Sequence, residues 1–292
     1  MSTVIHHIAA ISSDLSRTSN FYNKLLGMRV IHKHSLFEGP KVCHFYWDKN
    51  VEQFITFYHC PGLGPGRPEM HTFHTISLSV AQASFHYWLN RLRKAEIQFS
   101  QKNDDLYPAS ILQFSDPDGM QVQLVFTMRD ERKGFKDYLV PENFTIKGFF
   151  AVGVSSNNTD SLGRLLSCQF GLKCKRLNSH VRRFYGEQPY GSFIDVYRST
   201  EHVNGFAGWG RVHHIALWME DWEACASAFS QIKASKEGVI CRVQANQFSS
   251  LYFRESDVLL FELLGKMPIG GDPKSVDSPE EKIVNSKKKL NT

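Results

Sequence analysis

Two short segments of the chain carry a pair of adjacent histidines in the same apolar context. The segment "VIHHIAAISS" begins at Val4, and "RVHHIALWME" begins at Arg211. An apolar residue precedes each pair and Ile-Ala follows it, which is typical of a repeated β-strand. Because side chains alternate between the two faces of a strand, the second histidine of each pair shares a face with a small alanine. We therefore predict that His7 and His214 face a common site, and that His213 points away from it.

A carboxylate further along the chain could complete a metal site. Glu262 lies in "VLLFELLG", with apolar residues on both sides. A buried charge without a partner is costly, so such a glutamate is usually paired or bound to a metal. Two histidines and one carboxylate on one concave sheet form a facial triad, which leaves coordination positions open for a substrate and oxygen. The alternative is that both histidines are structural and that Glu262 faces water at a sheet edge.

The elements that carry these residues recur four times along the chain. Each copy begins with an apolar strand, continues with an amphipathic helix and ends with about three short strands. This order predicts an α+β fold of four βαβββ modules, whose curved mixed sheets surround clefts. At the histidine position, the second and third copies carry His74 and Phe150; at the glutamate position, they carry Gln123 and Asp195. This incomplete set predicts a second cleft that binds no metal.

The composition along the chain predicts two domains. Modules one and two form an N-terminal domain over residues 1–128, and modules three and four form a C-terminal domain over residues 147–269. Residues 129–146 are charged and contain proline, which is typical of a linker. Residues 270–292 are polar and poorly periodic, which predicts a mobile tail.

Composition and charge argue against several classes of function. The chain has 292 residues, of which 42% are hydrophobic and 22% charged, as in ordinary globular proteins. The net charge of +5 owes three units to the lysines at 287–289, and no basic run alternates with aromatic residues, so nucleic-acid binding is not expected. The sequence shows neither a membrane span nor a signal peptide, and its six cysteines lack metal-binding spacing. These features predict a cytoplasmic protein with reduced cysteines.

The modules together resemble the vicinal oxygen chelate superfamily, and within it the two-domain ring-cleaving dioxygenases of the hydroquinone type. The motifs that carry the resemblance are "IHHIAAI", "NFYNKLLGMRV", "DPDGMQVQLV", "VHHIAL" and "SLYFRESDVLLFELL". The resemblance implies that the first and fourth modules share a cleft, in which His7, His214 and Glu262 hold one divalent metal. Fe(II) is the metal expected, with Mn, Zn or Ni as alternatives.

The resemblance also implies a reaction, namely extradiol-type opening of a hydroquinone- or catechol-like aromatic ring by O2. Tyr252, in "SLYFRE", matches a tyrosine of the family that lines the pocket and could hydrogen-bond the substrate or an oxygen intermediate. His213 is the candidate acid/base group beside the metal. The alternative for Tyr252 is an aromatic core residue of a strand.

Three departures from the family pattern bear on the substrate. The chain reads "FRESDV" where the family reads "FREPGG", Ala245 replaces an arginine, and Ala9 stands where serine or threonine is common. The loss of polar groups predicts weak turnover of simple hydroquinones and better binding of bulkier, more apolar aromatics. Two other functions stay open: a glyoxalase-like lyase or isomerase that uses Zn, Ni or Mn on the same triad, and a non-enzymatic protein that sequesters small aromatics. An exposed strand edge would allow a homodimer.

Overall fold

The computed structural model describes most of the chain between residues 4 and 266. The described residues are 4–33, 41–46, 53–60, 62–67, 70–104, 109–134, 139–187, 191, 193–200, 203, 205–219, 222–235, 239–245, 248–256 and 259–266. The predicted tail over residues 270–292 therefore lies outside the described residues. No helix in the described part is long and apolar enough to cross a membrane.

The first two units have the same order of elements. Unit 1 consists of β1 (Val4–Ser12), α1 (Leu15–Ser19), which continues as a π-helix (Asn20–Leu25), β2 (Arg29–Lys33), β3 (Lys41–Tyr46) and β4 (Phe54–His59). Unit 2 consists of β5 (Thr72–Ala81), a 3₁₀ turn (Gln82–Ser84), α2 (Phe85–Lys94), β6 (Phe99–Asn103), β7 (Ser110–Ser115) and β8 (Gln121–Thr127).

The last two units repeat that order after a 3₁₀ turn (Glu142–Phe144) in the connecting segment. Unit 3 consists of β9 (Gly148–Ser156), α3 (Thr159–Arg164), which continues as a π-helix (Leu165–Gln169), β10 (Lys173–Arg176), β11 (Val181–Tyr185) and β12 (Phe193–Arg198). Unit 4 consists of β13 (Arg211–Trp218), α4 (Trp222–Ser235), β14 (Val239–Ala245), β15 (Phe248–Arg254) and β16 (Leu260–Lys266). The prediction of four βαβββ modules is thus confirmed.

Local sequence explains where the helix of unit 1 begins and ends. The side chain of Asp14 caps the helix by accepting the backbone N–H groups of Ser16 and Arg17. The chain then leaves the helix at Gly27, whose φ of +71° lies in the left-handed region. A Cβ atom at this position would also lie 2.5 Å from a methyl group of Val140. Glycine is therefore required here by both the backbone conformation and the packing.

The four units combine into two eight-stranded sheets. The strand order of the first sheet is β14-β15-β16-β13-β1-β4-β3-β2, and that of the second is β10-β11-β12-β9-β5-β8-β7-β6. Units 1 and 4 thus build the first sheet and units 2 and 3 the second, each joined at its centre by an antiparallel pair. The domain limits predicted along the chain, 1–128 and 147–269, stay a prediction; the sheets themselves pair units across those limits.

The first strand of every unit contains a β-bulge at the same position. In the central pairs, the register skips one residue at His6 in β1 and at His213 in β13. It skips the corresponding residue at His74 in β5 and at Phe150 in β9. A bulge places two residues opposite one and so shifts the alternation of faces by one residue. This repeated irregularity decides which side chains can face the site.

One hydrophobic core connects both sheets and their helices. The aromatic ring of Phe73 in β5 meets that of Phe261 in β16 edge-on, with centroids 5.4 Å apart. The π-helix of unit 1 reaches unit 2, because the hydroxyl of Tyr22 donates to Asp116 over 3.1 Å. Burial, opposed by two backbone N–H donors, raises the pKa of the Asp116 carboxyl to about 6. The two sheets are therefore held together by apolar packing and by a buried polar turn.

Candidate metal centre

The structure brings His7, His214 and Glu262 together on one face of the first sheet. The Nε2 atoms of the two histidines are 3.2 Å apart. The Oε2 atom of Glu262 lies 3.2 Å from His7 Nε2 and 3.1 Å from His214 Nε2. We call this face, which points away from the core, the site face. Strand register explains the meeting, since β1 and β16 both pair with β13.

The three ligand atoms fit a divalent metal. With bonds of about 2.1 Å, neighbouring ligand atoms are about 3.0 Å apart around an octahedral ion and about 3.4 Å apart around a tetrahedral one. The observed separations of 3.1–3.2 Å lie between these values. Among the described residues, none makes a hydrogen bond of good geometry to Glu262 Oε2, which is buried. A buried carboxylate oxygen beside two imidazole nitrogens is the arrangement that a cation would satisfy.

Burial and charge act on this site in opposite directions. Burial alone would raise the pKa of Glu262, but the imidazoles of His7 and His214 hold it well below its usual range. Burial lowers the pKa of His214, which favours the neutral imidazole that a metal needs. The side chain of His7 remains 12% exposed, whereas those of His214 and Glu262 are 3% exposed. The site is therefore most accessible from the side of His7.

The bulges bring the first histidine of each pair to the same side as the second. The Nδ1 atoms of His6 and His7 are 2.9 Å apart, and so are those of His213 and His214. The prediction that His213 points away from the site is thus wrong, because the alternation on which it rested is interrupted at that residue. Burial lowers the pKa of His6 to about 4 and that of His213 to about 3, so both rings are neutral near pH 7.

Aromatic side chains surround the three candidate ligands. The ring of Phe54 stacks on that of His7, with centroids 4.9 Å apart and planes 2° from parallel. Tyr252 stands opposite Glu262 in the sheet and meets the ring of His214 edge-on at 5.6 Å. Tyr58 meets the ring of His213 edge-on at 6.2 Å. These flat surfaces suit an aromatic ligand.

The three departures from the family pattern lie at different places in the fold. Ala9 is buried on the site face and packs against Tyr58 and Cys60. Ala245 ends β14, and its side chain lies outside the described part of the chain. The register puts Ala245 opposite Phe248, four residues along β14 from Cys241, which stands opposite Tyr252. In "FRESDV", the residues at 257 and 258 lie outside the described residues.

Register identifies the counterparts of the triad in the second sheet. Thr75 is the counterpart of His7, since each follows the bulge of its strand; His7 pairs with Ala216, and Thr75 pairs with Gly153. Ala151 is likewise the counterpart of His214. The expectation that His74 and Phe150 occupy the ligand position is therefore wrong, because they are the bulged residues that correspond to His6 and His213. Gln123 and Asp195 do occupy the glutamate position, each beside the centre of its sheet.

A guanidinium ion neutralises the acidic position of the second sheet. Arg183 donates to both oxygens of Asp195 over 2.6 and 2.7 Å, and to both oxygens of Asp104 over 2.9 and 3.1 Å. All three residues are nearly inaccessible to solvent. Arg183 stands opposite Asp195 as Tyr252 stands opposite Glu262. An internal cation thus occupies this half of the second sheet, and the absence of a metal there stays a prediction.

Several residues of the site had no part in the sequence-based prediction. They are His6, His44, Phe54, Thr56 and Tyr58, all on the site face of unit 1. A signal for the bulges was present, since the core residues Ile5 and Ile8 are spaced by three, as are Val212 and Ile215. Strict alternation cannot bury both members of such a pair.

The comparisons with known proteins agree with this fold. Residues 4–124 match the model of the Glyoxalase/Bleomycin resistance protein/Dioxygenase superfamily. The chain is 26% identical over 283 residues to the "Putative ring-cleaving dioxygenase MhqO" of Bacillus subtilis (strain 168), covering 96% of this chain and 90% of that protein. It is 27% identical over 276 residues to MhqA of the same organism, which carries the same description, covering 89% of this chain and 85% of that protein.

Solved structures give the same result. A crystal structure described as a "putative dioxygenase" from Bacillus subtilis subsp. subtilis str. 168 superposes with a TM-score of 0.81 and 25% identity, covering 91% of this chain and 86% of that one. Glyoxalase I from Zea mays superposes with a TM-score of 0.68 at 11% identity, covering 90% and 92% of the two chains, and shares the fold. The family model thus matches the part of the chain that forms units 1 and 2 up to β8, and the superposed structures show that the whole chain has the fold of these proteins.

Proposed function

We propose that this protein is a metal-dependent, ring-cleaving dioxygenase of the extradiol type, acting on a hydroquinone- or catechol-like aromatic with O2. The observation that carries the proposal is the convergence of His7 Nε2, His214 Nε2 and Glu262 Oε2 within 3.2 Å of one another. The similarity to proteins described as ring-cleaving dioxygenases supports the same reaction class. Fe(II) is the metal we propose, because two histidines and one carboxylate are the ligand set of non-haem Fe(II) oxygenases.

The bound metal would supply a redox-active Lewis acid with open positions for the ring oxygen and O2. The residues around the metal would fix the orientation of its ligands. If Nε2 of each ligand histidine faces the metal, its Nδ1 carries the proton and donates to the neighbouring histidine. His6 and His213 are neutral, and their Nδ1 atoms lie 2.9 Å away, so they can accept these hydrogen bonds. Such outer hydrogen bonds fix the tautomer and the orientation of ligand rings.

Tyr252 is the residue we assign to the substrate. It is buried beside His214, and strand register places it opposite Glu262. Its hydroxyl can donate a hydrogen bond to the ring oxygen or to the oxygen species attacking the ring. His213 is the candidate acid/base group beside the metal; while its Nδ1 accepts a hydrogen bond from His214, its Nε2–H group acts as a donor to the substrate or to oxygen. Phe54 and Tyr58 supply apolar walls that hold the ring and exclude water.

Metal reconstitution and oxygen uptake test the proposal. Protein loaded anaerobically with Fe(II) is mixed with a panel of hydroquinones and catechols, and oxygen uptake is recorded together with the product mass. We expect about one metal per chain and a product that contains both oxygen atoms of O2. The His214→Ala variant should lose metal and oxygen uptake while remaining folded by circular dichroism.

The same experiment distinguishes the other functions. Isomerisation of a glutathione hemithioacetal by Zn-, Ni- or Mn-loaded protein, without oxygen uptake by the Fe(II) form, would favour a glyoxalase-like enzyme. Binding of an aromatic without any turnover would favour a sequestering protein. Full metal content in His214→Ala would contradict the triad itself. A homodimer through a sheet edge is a further proposal, which sedimentation of the loaded protein checks.

A further inference from the structure

Two connecting segments of the chain pass between the sheets and pair with each other. The first connector runs from β4 in the first sheet to β5 in the second, and the second connector returns from β12 to β13. The N–H of Gly66 donates to the carbonyl oxygen of Trp209 over 3.0 Å, and the N–H of Trp209 donates to that of Gly64 over 3.1 Å. A Cβ atom on Gly208 would lie 2.6 Å from the carbonyl oxygen of Gly64, so this close approach requires glycine at position 208. The first connector is thus held in place by the second.

The side chain of Trp209 fixes Leu63, which lies just beyond the end of β4. The indole N–H of Trp209 donates to the carbonyl oxygen of Leu63 over 2.8 Å. The N–H of Leu63 donates to the carbonyl oxygen of Cys60 over 3.2 Å and closes a turn. Both polar groups of the Leu63 backbone are therefore bonded, one within the first connector and one to the second. The pairing of the connectors thus sets the direction of the Leu63 side chain.

The side chain of Leu63 covers the unit 1 half of the site face. Together with Val42, it packs against Ala9, Tyr58 and Cys60. Ala9 is fully buried in this cluster, so the space that its small side chain leaves is filled by protein. Leu63 and Val42 are themselves only partly buried. They therefore form the outer surface of this half of the site face.

Strand register places this surface beside the candidate metal ligands. Ala9 is paired with His214 across β1 and β13, and paired Cα atoms of antiparallel strands are about 5 Å apart. The ring of Tyr58 meets that of His213 edge-on at 6.2 Å. A side chain that lies on both Ala9 and Tyr58 therefore stands next to the two histidines of unit 4. An aromatic ring bound at the metal would meet this side chain on the unit 1 side.

We propose that Leu63 is a specificity-determining residue, whose side chain limits the size of a substituent on the bound ring, and that Trp209 is the positioning residue that holds it there. This inference rests on the proposed function, which supplies the aromatic ligand at the metal. Trp209 acts through the carbonyl group of Leu63 and needs no contact with the ligand. The wild type therefore discriminates against bulky substituents that an alanine at position 9 would by itself admit.

Binding to zinc-loaded protein tests both roles without turnover. Anaerobic calorimetric titrations compare hydroquinone with tert-butylhydroquinone, which carries a bulky alkyl group on the same ring. In Leu63→Ala, we expect the ratio of the two affinities to shift about tenfold toward tert-butylhydroquinone, because apolar burial passes from the leucine to the ligand. Leu63→Phe, which enlarges the side chain, should shift the ratio the other way. In Trp209→Phe, which keeps an aromatic ring but lacks the donor, the ratio should shift about threefold toward tert-butylhydroquinone.

Phe206→Leu is the matched control on the second connector. Phe206 is 44% exposed and its ring lies 4.7 Å from the guanidinium carbon of Arg67, so the ratio should stay within about twofold of wild type. An unchanged ratio in both Leu63 variants would overturn the specificity role, and an unchanged ratio in Trp209→Phe would overturn the positioning role. A shift in the control equal to that in Leu63→Ala would overturn both.

The failure of the proposed function looks different from the failure of this inference. In that case the affinity ratio shifts in Leu63→Ala as expected, but the Fe(II) form takes up no oxygen with either ligand. If neither ligand binds the zinc-loaded wild type, both proposals fall.

Discussion

Replacing His6 with phenylalanine is expected to weaken metal binding without disturbing the fold. His6 does not reach the proposed metal itself; its Nδ1 contacts His7 Nδ1 at 2.9 Å. The bulge tolerates the substitution, because Phe150 occupies the corresponding bulge of unit 3. The neighbours of His6 are also aromatic, with Trp218 stacked at 5.9 Å and Phe54 edge-on at 5.5 Å. The variant therefore removes one hydrogen-bond acceptor and little else.

The expected loss of metal affinity follows from the hydrogen bond between His7 Nδ1 and His6 Nδ1. When His7 Nε2 holds a metal, the Nδ1–H group needs an acceptor in a site with little solvent. Leaving a buried donor unsatisfied costs about 1–3 kcal/mol. Since each 1.4 kcal/mol is a factor of ten, the affinity for metal should fall roughly tenfold to a hundredfold. Measured losses on removing outer hydrogen-bond partners of metal ligands fall in the same range.

Competition between the protein and a chromophoric chelator for Zn²⁺ at neutral pH measures the loss. His74→Phe is the matched control, since His74 occupies the corresponding bulge in the second sheet. We expect this control to bind zinc as the wild type does. An affinity of His6→Phe within about twofold of wild type, with the fold intact, would refute the reasoning. So would an equal loss in the control.

Three further outcomes follow from buried charges. Arg183→Met should destabilise the fold by about 3–5 kcal/mol in urea unfolding, because it leaves two buried carboxylates uncompensated. Arg182→Met is the control: it removes a surface ion pair at the adjacent residue and should cost under about 1 kcal/mol. Equal losses of stability in the two variants would contradict this account. Between about pH 4 and about pH 6, Asp116 is protonated in the folded state but ionised in the unfolded chain. The free energy of unfolding should therefore fall as pH rises through this range. Asp116→Asn should remove that dependence and raise the melting temperature at pH 8, and an unchanged pH profile would count against it. Glu262→Gln should bind the metal more weakly and yet fold, since a neutral amide replaces a carboxylate at a residue that is 2% exposed; full metal content in Glu262→Ala would exclude Glu262 as a ligand.

Much of the fold could be predicted from the sequence because it is repeated. The four copies of strand, helix and strands each carry the periodicity of their elements, and the repetition strengthens a pattern that one copy shows weakly. The core positions Ile8 and Ile215 follow from the Ile-Ala segments, and both are fully buried. The convergence of His7, His214 and Glu262 could be proposed because they occupy related places in the first and fourth units.

What could not be predicted depends on one inserted residue. A β-bulge reverses the face of the residues on one side of it, so alternation assigned His213 to the wrong side of its strand. The same irregularity led to His74 and Phe150 being taken as counterparts of the ligands, in place of Thr75 and Ala151. The ion pairs of Arg183 were also missed. They join Asp104 in unit 2 to Arg183 and Asp195 in unit 3. A contact between residues so far apart in the chain leaves no local sequence pattern from which it could be predicted.

The division of the first sheet between units 1 and 4 has a consequence for synthesis on the ribosome. Units 2 and 3 are consecutive, so their sheet can close while the rest of the chain is still being made. The central edge of β1, in contrast, must wait for β13, and an unpaired edge strand invites association with other chains. His7 emerges early but meets its partners only after Glu262 has been translated. A chain that ends before β13 holds one candidate ligand and a chain that ends before β16 holds two, so full metal binding would mark a chain translated through β16.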